Sequence, residues 1–364
     1  MTPDEQLRLL VRLCAMERDG KPLPDLGKDS VRALADAAGR EGVSGWLTHR
    51  LTESYGDWKS GAELRLEMRQ AALSTVCHNA HVIGVAKDVT EKLRGIETVL
   101  LKGAALIDSP FYSDISHRLA GDIDIWVDPA KIFQARDILI EHGAEACKYD
   151  GPQVDKTDAH LPQMRYEGLT IELHGRLFNA DLGWDLPKQP GAYAMEWHGR
   201  RMLRPDAMTH HLVMHAYKHY VKEKVRLRWI VDLAVMISAG KDAGALTALC
   251  EASTPDSGKA LRWAMGVTLP LLPVAKAKEV KEMGYAPLDF ATNKSKGMSI
   301  VKAKRSAIVR IIRKAGNAVA RAEGLRCKAS AAMAAVRYEL RRTRLRYPGD
   351  SLATGIIKRI FIRK

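Results

Sequence analysis

The sequence lacks the features that place a protein in a membrane or in an oxidising compartment. Its five cysteines are scattered, odd in number and without a Cys-x-x-Cys pair, so they predict neither a disulfide framework nor a zinc cluster. No apolar run reaches the roughly 18 residues that a membrane-spanning helix needs. The polar, acidic start of the chain argues against a secretory signal. We therefore expect a cytoplasmic protein.

Repeats and extremes of composition are also missing. Hydrophobic residues make up 46% of the chain and charged residues 27%, which is typical of globular proteins and argues against a disordered or fibrous chain. With 364 residues, the chain is long enough for two domains, or for one domain with large additions.

The positive charge is confined to one end of the sequence. The net charge is +14, but residues 293–364 contain 20 Lys and Arg against 3 Asp and Glu, a local charge of +17. The rest of the chain carries −3. Because the body is nearly neutral, the partner of the basic segment need not be the substrate of a catalytic centre.

Three interpretations of the basic segment 293–364 remain open. It could be a solvated or partly disordered extension. It could attach to an anionic membrane surface, which would place the protein at the inner face of the membrane. It could instead bind RNA, although aromatic residues for base stacking are scarce in it. The apolar residues that favour the membrane alternative are Ile356, Ile357, Ile360 and Phe361.

Hydrophobic periodicity divides the chain into helical and β-rich parts. Apolar residues at helical spacing predict helices over 4–18 and 29–96. Short β-rich runs then appear, and helices return after 206. The predicted strands are 98–101, 122–127, 145–150, 164–166 and 169–173, with a helix over 130–142, and the later helices are 206–222, 226–239, 242–252 and 257–268.

Two carboxylates alternate along one predicted strand. Asp122 and Asp124 point to the same face, while Ile123, Ile125 and Val127 point to the other, toward a core. Burying two anions is costly unless a cation neutralises them. Magnesium is the usual answer, because it takes carboxylate oxygens and keeps positions open for phosphate. A third carboxylate, Glu172, on a neighbouring strand would complete a two-metal site.

Five separated pieces occur in a characteristic order. They are Leu100–Gly103, Arg118, Gly121–Asp124, Glu172–His174, and His215 with Arg226–Leu233. Together they resemble the bacterial uncharacterised nucleotidyltransferase family, a branch of the DNA polymerase β-like nucleotidyltransferase superfamily. The resemblance covers roughly 98–235, with a weaker match in the helical N-terminus, and does not reach 290–364.

The resemblance implies an α+β fold: a small mixed β-sheet nucleotidyltransferase core flanked by N- and C-terminal helical segments. The corresponding division of the chain is an N-terminal helical region at 1–96, the nucleotidyltransferase core at 97–200, a helical domain at 201–290 and a basic, helical or partly disordered tail at 291–364.

The resemblance also implies metal-dependent transfer of a nucleoside monophosphate from an NTP, with ATP favoured, to an unidentified hydroxyl acceptor with release of pyrophosphate. Asp122, Asp124 and Glu172 would be the catalytic carboxylates and would hold two Mg²⁺ ions, with Mn²⁺ as an alternative. Phosphate would be bound by Lys102, Gly103, Arg118 and His174.

Two departures from the superfamily pattern affect the phosphate contacts. The usual Gly-Ser or Gly-Gly turn is replaced by Lys102-Gly103-Ala104, and 18 residues, longer than the usual spacing, separate Gly103 from Asp122. We therefore expect the Lys102 ammonium and the Gly103 amide, rather than a serine hydroxyl, to hold phosphate.

Plainer interpretations exist for several of these residues. Arg118 could form a structural ion pair, Lys102 could be a solvated turn residue, Glu172 could sit on the exposed face of an edge strand, and His174 could brace the site. His211, His215 and His219 share a helix face, where packing is favoured over zinc binding. At the level of function, the alternatives are a catalytically silent, antitoxin-like nucleotide-binding module and an RNA-modifying transferase that uses its basic tail.

Overall fold

The computed structural model describes residues 1–147, 159–178, 186, 189–221, 225–240 and 255–292. All of these residues belong to one compact unit. The predicted helix over 242–252 and the basic segment 293–364 lie outside the described residues. The division of the chain into four segments therefore stays a prediction.

The N-terminal part of the chain is helical, as its apolar spacing predicts. A complete capping box starts the first helix: the Thr2 hydroxyl accepts a hydrogen bond from the Glu5 amide, and the Glu5 carboxylate accepts one from the Thr2 amide. The second and third helices pack against the long fourth one. The helices are α1 (Pro3–Cys14), α2 (Lys28–Glu41), α3 (Ser44–Glu53) and α4 (Lys59–Lys92).

A seven-stranded mixed sheet follows, in the order β3-β4-β5-β2-β1-β7-β6. Its central strand β2 runs antiparallel to β1 and parallel to β5. All residues of β1 and β2 are buried, so both faces of the sheet centre are covered. The elements are β1 (Thr98–Leu101), α5 (Lys102–Leu106), β2 (Ile123–Val127), α6 (Ile132–Glu141), β3 (Glu145–Ala146), β4 (Met164–Tyr166), β5 (Leu169–His174), β6 (Ala194–Trp197) and β7 (Arg200–Leu203).

Two hairpins with the same turn chemistry flank the sheet centre. The hairpin β4–β5, whose two strands were predicted, turns at Glu167 and Gly168, which both have positive φ angles (48° and 75°), as a two-residue hairpin turn requires. The hairpin β6–β7 turns in the same way at His198 and Gly199 (48° and 72°). This second hairpin was not predicted, although its X-Gly turn is a hairpin signal.

Helices close the described part of the chain. They are α7 (Pro205–Val221), α8 (Leu227–Ala239), α9 (Pro255–Thr268) and α10 (Val274–Glu282). The first three begin and end within two residues of their predicted bounds and pack on one another, while α10 was not predicted. Among the described residues, no helix combines the length and the apolar character that crossing a membrane requires. The predicted α+β class with a mixed sheet between helical segments is confirmed.

Candidate functional site

Neighbouring parallel strands bring the predicted acids together at the centre of the sheet. In the register of β2 and β5, Asp124 lies opposite Glu172, and Trp126 lies opposite His174. Residues two apart on a strand share a face, so His174 points to the same side as Glu172. The potential ligand atoms of Asp124, Glu172 and His174 all lie within 4.8 Å of one another. The sheet register thus builds a compact cluster from residues fifty positions apart.

Asp124 is the most enclosed member of this cluster, with 0% of its side chain exposed. Its Oδ1 accepts hydrogen bonds from Lys102 Nζ at 2.6 Å and from His174 Nε2 at 2.7 Å. Burial alone would raise the pKa of Asp124, but the Lys102 ammonium and the His174 ring outweigh it and hold that pKa well below its ordinary value. Asp124 is therefore ionised at neutral pH.

The second carboxylate oxygen of Asp124 has a different environment. Oδ2 is buried and has no hydrogen-bond partner among the residues that the structure describes. A buried anionic oxygen without a partner is costly and rare in folded proteins. This unpaired oxygen is the feature of the site that calls for a cation.

Glu172 is half-buried beside Asp124, so it does not lie on an exposed strand face. Its Oε1 accepts a hydrogen bond from Gln163 Nε2, and its Oε2 lies 3.5 Å from His174 Nε2. Burial raises the pKa of Glu172, but the hydrogen bonds from His174 and Gln163 outweigh it, and the pKa lies below its ordinary value. Glu172 is thus ionised as well.

His174 bridges these two carboxylates. Burial would lower its pKa, but the hydrogen bonds to Asp124 and Glu172 outweigh that effect and raise it. A single ring nitrogen, Nε2, faces both acids at 2.7 and 3.5 Å. The ring therefore sets the relative position of the two carboxylates.

Lys102 reaches the cluster from a strained turn. It follows β1 directly and has a φ of 46°, in the left-handed region that residues other than glycine rarely adopt. Such strain persists only where the surroundings impose it, and it concentrates at functional sites. Burial lowers the pKa of Lys102, but the Asp124 carboxylate outweighs it and raises that pKa. The ammonium is therefore a permanent positive charge beside the acids.

Asp122 lies just before β2, outside the 4.8 Å cluster, and His174 takes its place there. It is half-buried, and its carboxylate has no hydrogen bond or ion pair with any residue in the described ranges. Burial raises the pKa of Asp122, and the nearby charge of Asp124 raises it further. Asp122 is thus an unpaired acid at the edge of the cluster.

Arg118 is paired with an acid outside the sheet. It forms a buried ion pair with Asp232 of α8, in which Nε lies 3.2 Å from Oδ1 and Nη2 lies 3.0 Å from Oδ2. The Tyr112 hydroxyl donates a hydrogen bond to the same carboxylate at 2.7 Å. A structural ion pair was one interpretation of Arg118, but its partner is a residue 114 positions later in the chain. Its role as a phosphate contact stays a prediction.

Position 103 is a glycine because Arg118 leaves no room for a side chain there. A Cβ atom at position 103 would lie 2.2 Å from Arg118 Nη1 and 3.3 Å from the Ala120 Cβ. Because the ion pair with Asp232 fixes the guanidinium, Arg118 cannot easily move aside. The absence of a side chain at Gly103 lets the turn after β1 pack directly on this buried ion pair.

This close approach predicts the effect of Gly103→Ala. Alanine normally stabilises a helix by up to about 1 kcal/mol relative to glycine, but the clash should outweigh this gain and lower the free energy of unfolding by about 1–3 kcal/mol. Urea denaturation measures the change. The control is Gly84→Ala on α4, where a Cβ meets nothing within 4 Å, and it should be neutral or stabilising. Equal effects of the two changes would contradict the clash.

Sequence reasoning missed one residue that shapes the site. Asn79 of α4 is fully buried, and its Nδ2 donates hydrogen bonds to the carbonyls of Ile115 (2.5 Å) and Arg118 (2.7 Å). Its Oδ1 accepts one from the Ala120 amide at 3.1 Å. This amide side chain fixes the segment that leads into Asp122. An asparagine on the buried face of a predicted helix was the signal that could have revealed it.

The three histidines on α7 lie beside the site. Ring centroids are 6.3 Å apart for His211 and His215 and 4.6 Å apart for His215 and His219. His215 packs edge-on against Trp229 of α8 at 5.1 Å. Within the described residues, the three imidazoles do not form a cluster close enough to share an ion.

The donor set fits a divalent cation. The unpaired Oδ2 of Asp124, the Glu172 carboxylate and the unpaired Asp122 carboxylate are hard oxygen donors of the kind that Mg²⁺ and Mn²⁺ prefer. The Nε2 atom of His174 is engaged as a hydrogen-bond donor to Asp124, so His174 positions the carboxylates and is not counted among the metal ligands. The acidic cluster is therefore a candidate metal centre.

The fold and the site define a class of protein: an α+β protein with a candidate acidic metal centre on neighbouring strands of a mixed sheet. A family model described as uncharacterised nucleotidyltransferase matches residues 28–268, and the chain belongs to this family. The family resemblance stated from the sequence is thereby confirmed. No curated protein matches the chain. No solved structure matches it either.

Proposed function

We propose that this protein transfers a nucleoside monophosphate from an NTP, with ATP favoured, to a hydroxyl group of an acceptor and releases pyrophosphate. The family assignment supports a transferase that acts on nucleotides. The observation that carries the proposal is the ionised Asp124, which has one buried oxygen unpaired and lies next to Glu172 on the adjacent strand. A buried anion in this state is suited to a divalent metal.

The carboxylates are assigned the role of holding metal. Asp122, Asp124 and Glu172 would hold Mg²⁺ or Mn²⁺, with two ions in the full proposal. The bound metal would supply charge neutralisation for the triphosphate and would lower the pKa of the acceptor hydroxyl. His174 bridges Asp124 and Glu172 and would keep their oxygens in position, a positioning role that supplements the phosphate contact expected from the sequence.

The remaining residues act on the substrates. The acceptor oxygen forms a bond to the α-phosphorus as the bond from that phosphorus to the pyrophosphate oxygen breaks. The ionised Glu172 takes the proton of the acceptor hydroxyl. Lys102 uses one N–H donor on Asp124, and its other two would be directed at phosphate oxygens, where negative charge accumulates during transfer.

A substitution of Asp122 tests the proposal without disturbing the cluster of Asp124, Glu172 and His174. Asp122→Asn should reduce pyrophosphate release by at least about 100-fold, because an amide is a weak metal ligand. The fold should be unaffected, since Asp122 has no ion pair to lose within the described residues. The measurement is pyrophosphate release from labelled NTPs with Mg²⁺ or Mn²⁺ and a cell extract as the source of acceptor. Asp137→Asn, an exposed aspartate on α6, is the matched control.

The same assay separates the alternatives. Retention of pyrophosphate release in Asp122→Asn would remove Asp122 from the site. Metal-dependent NTP binding without any product would favour the silent, antitoxin-like module. The membrane and RNA alternatives depend on the basic segment 293–364, which lies outside the described residues, and they stay predictions together with the cytoplasmic location.

A further inference from the structure

An arginine that interacts electrostatically with Asp122 has no hydrogen bond or ion pair among the described residues. Arg228, in the first turn of α8, is half-buried, and its Nε atom is fully shielded from solvent. Its guanidinium has no hydrogen bond or ion pair with any residue in the described part of the chain. Shielding such a donor without an acceptor is unfavourable, so this donor calls for an acceptor from outside the described residues.

The side chain of Arg228 is held in place by its neighbours. Its Cδ approaches Gly42 so closely that a Cβ there would lie 2.7 Å from it. Gly42 has a φ of 72° and ends α2 in the left-handed conformation that favours glycine. On the other side, the guanidinium carbon lies 5.5 Å from the centre of the Trp229 ring, a cation–π distance. The side chain is therefore positioned by the N-terminal helices and by α8 together.

The direction of Arg228 follows from its place on α8. Arg228 and Asp232 are four residues apart and share one face of the helix. Asp232 contacts Arg118, which in turn packs on Gly103 in the turn after β1. The next residue on α8, Trp229, packs against His215. This face of α8 is thus turned toward the turn that carries Lys102.

The charged groups around Arg228 agree with a position near the turn after β1. Burial lowers the pKa of Arg228, and Arg118 lowers it further, whereas Asp232 and Asp122 oppose the effect. Arg118 itself is committed to Asp232. The guanidinium of Arg228, in contrast, has N–H donors that no described residue uses. The paired N–H groups of a guanidinium match two oxygens of a phosphate group.

We propose that Arg228 binds the phosphate groups of the NTP, in the role that the sequence suggested for Arg118. The proposal rests on the proposed function, because it takes the NTP as the substrate of the same site. It assigns Arg118 to the support of the turn and Arg228 to contact with the substrate.

Binding measurements on the full chain test this assignment. Isothermal titration with ATP and with inorganic tripolyphosphate, each with Mg²⁺, should show that Arg228→Gln weakens the binding of both by about 10-fold or more. Arg228→Lys should bind with intermediate strength, because it keeps the charge and loses the fork. Arg226→Gln, two residues away and exposed, changes the charge equally and should bind like the wild type.

Stability separates ligand binding from a structural role. Because Arg228 forms no hydrogen bond or ion pair within the described ranges and would lose only its contact with the Trp229 ring, Arg228→Gln should melt close to the wild-type temperature. If Arg228→Gln melts at a lower temperature, the lysine variant decides between the two roles. Weakened binding by a stable Arg228→Lys variant supports the proposal. Wild-type binding by that variant overturns it.

The remaining outcomes also discriminate. Wild-type affinity of Arg228→Gln for both probes overturns the proposal and leaves the proposed function in place. Weaker binding of ATP with unchanged binding of tripolyphosphate overturns it as well, because the contact would then be to the nucleoside. Failure of the wild-type protein to bind either probe would remove the proposed function itself.

Discussion

Asp124→Asn should abolish nucleotidyl transfer, with a loss of about three orders of magnitude or more. The change replaces the ionised carboxylate at the centre of the cluster by a neutral amide of the same shape. It removes the unpaired anionic oxygen that would hold metal and the negative charge that keeps Lys102 and His174 in place. Pyrophosphate release measures the effect on turnover, and titration with Mn²⁺ measures the effect on metal binding.

The same variant has a spectroscopic signature. The hydrogen bond to Asp124 is the leading cause that raises the pKa of His174, so the pKa of this ring should fall in Asp124→Asn. Titration followed by NMR in the absence of metal measures it. Asp137→Asn is again the control, since its carboxylate is exposed and pairs with the neighbouring Arg136. Undiminished turnover in Asp124→Asn would eliminate the proposed function.

Asp232→Asn should cause the largest loss of stability, about 3–5 kcal/mol in the free energy of unfolding. Arg118 and Asp232 are only 6% and 0% exposed, so the change leaves a guanidinium charge buried without its counterion. It also weakens the hydrogen bond of the Tyr112 hydroxyl. Urea denaturation followed by tryptophan fluorescence measures the loss.

A surface ion pair provides the comparison. Arg201 and Glu97 lie 3.0 Å apart with 36% and 40% of their side chains exposed, so Arg201→Gln should cost no more than about 1 kcal/mol. The double change Arg118→Met with Asp232→Leu should cost less than the sum of the single changes, because it removes both charges together. A loss for Asp232→Asn as small as that for Arg201→Gln would show that this ion pair does not support the turn.

Local patterns allowed much of the fold to be predicted. The strand 98–101 and the turn Glu167-Gly168 could be recognised because short β-rich runs and X-Gly turns act through neighbouring residues. The hairpin at His198-Gly199 carries the same turn signal and was missed, because its first strand has no clear alternation: Ala194, Met195 and Trp197 are half-buried and Glu196 is exposed. Helix α1 ends at Cys14, because Ala15 is extended, so the predicted helix end at residue 18 is wrong.

The candidate site shows a similar division. Alternation along one strand placed Asp122 and Asp124 on a common side, and the family resemblance pointed to Glu172 and Lys102. The pairing of Arg118 with Asp232 could not be predicted, because it joins residues 114 positions apart through the packing of α8 on the turn after β1. The tight cluster contains His174 and not Asp122. This depends on the register of β2 and β5, which could not be predicted.

By itself, the sequence determined the kinds of elements, the acids that are candidates for the site and the membership of a nucleotidyltransferase family. These properties follow from short-range periodicity and from ordered motifs, which a linear chain carries. Only the tertiary structure decided which charges meet: Asp124 with Lys102 and His174, and Arg118 with Asp232. The reason is physical, since the energy of a charge depends on its burial and on its distance from other charges, and both are set by the packing of elements that are remote in sequence.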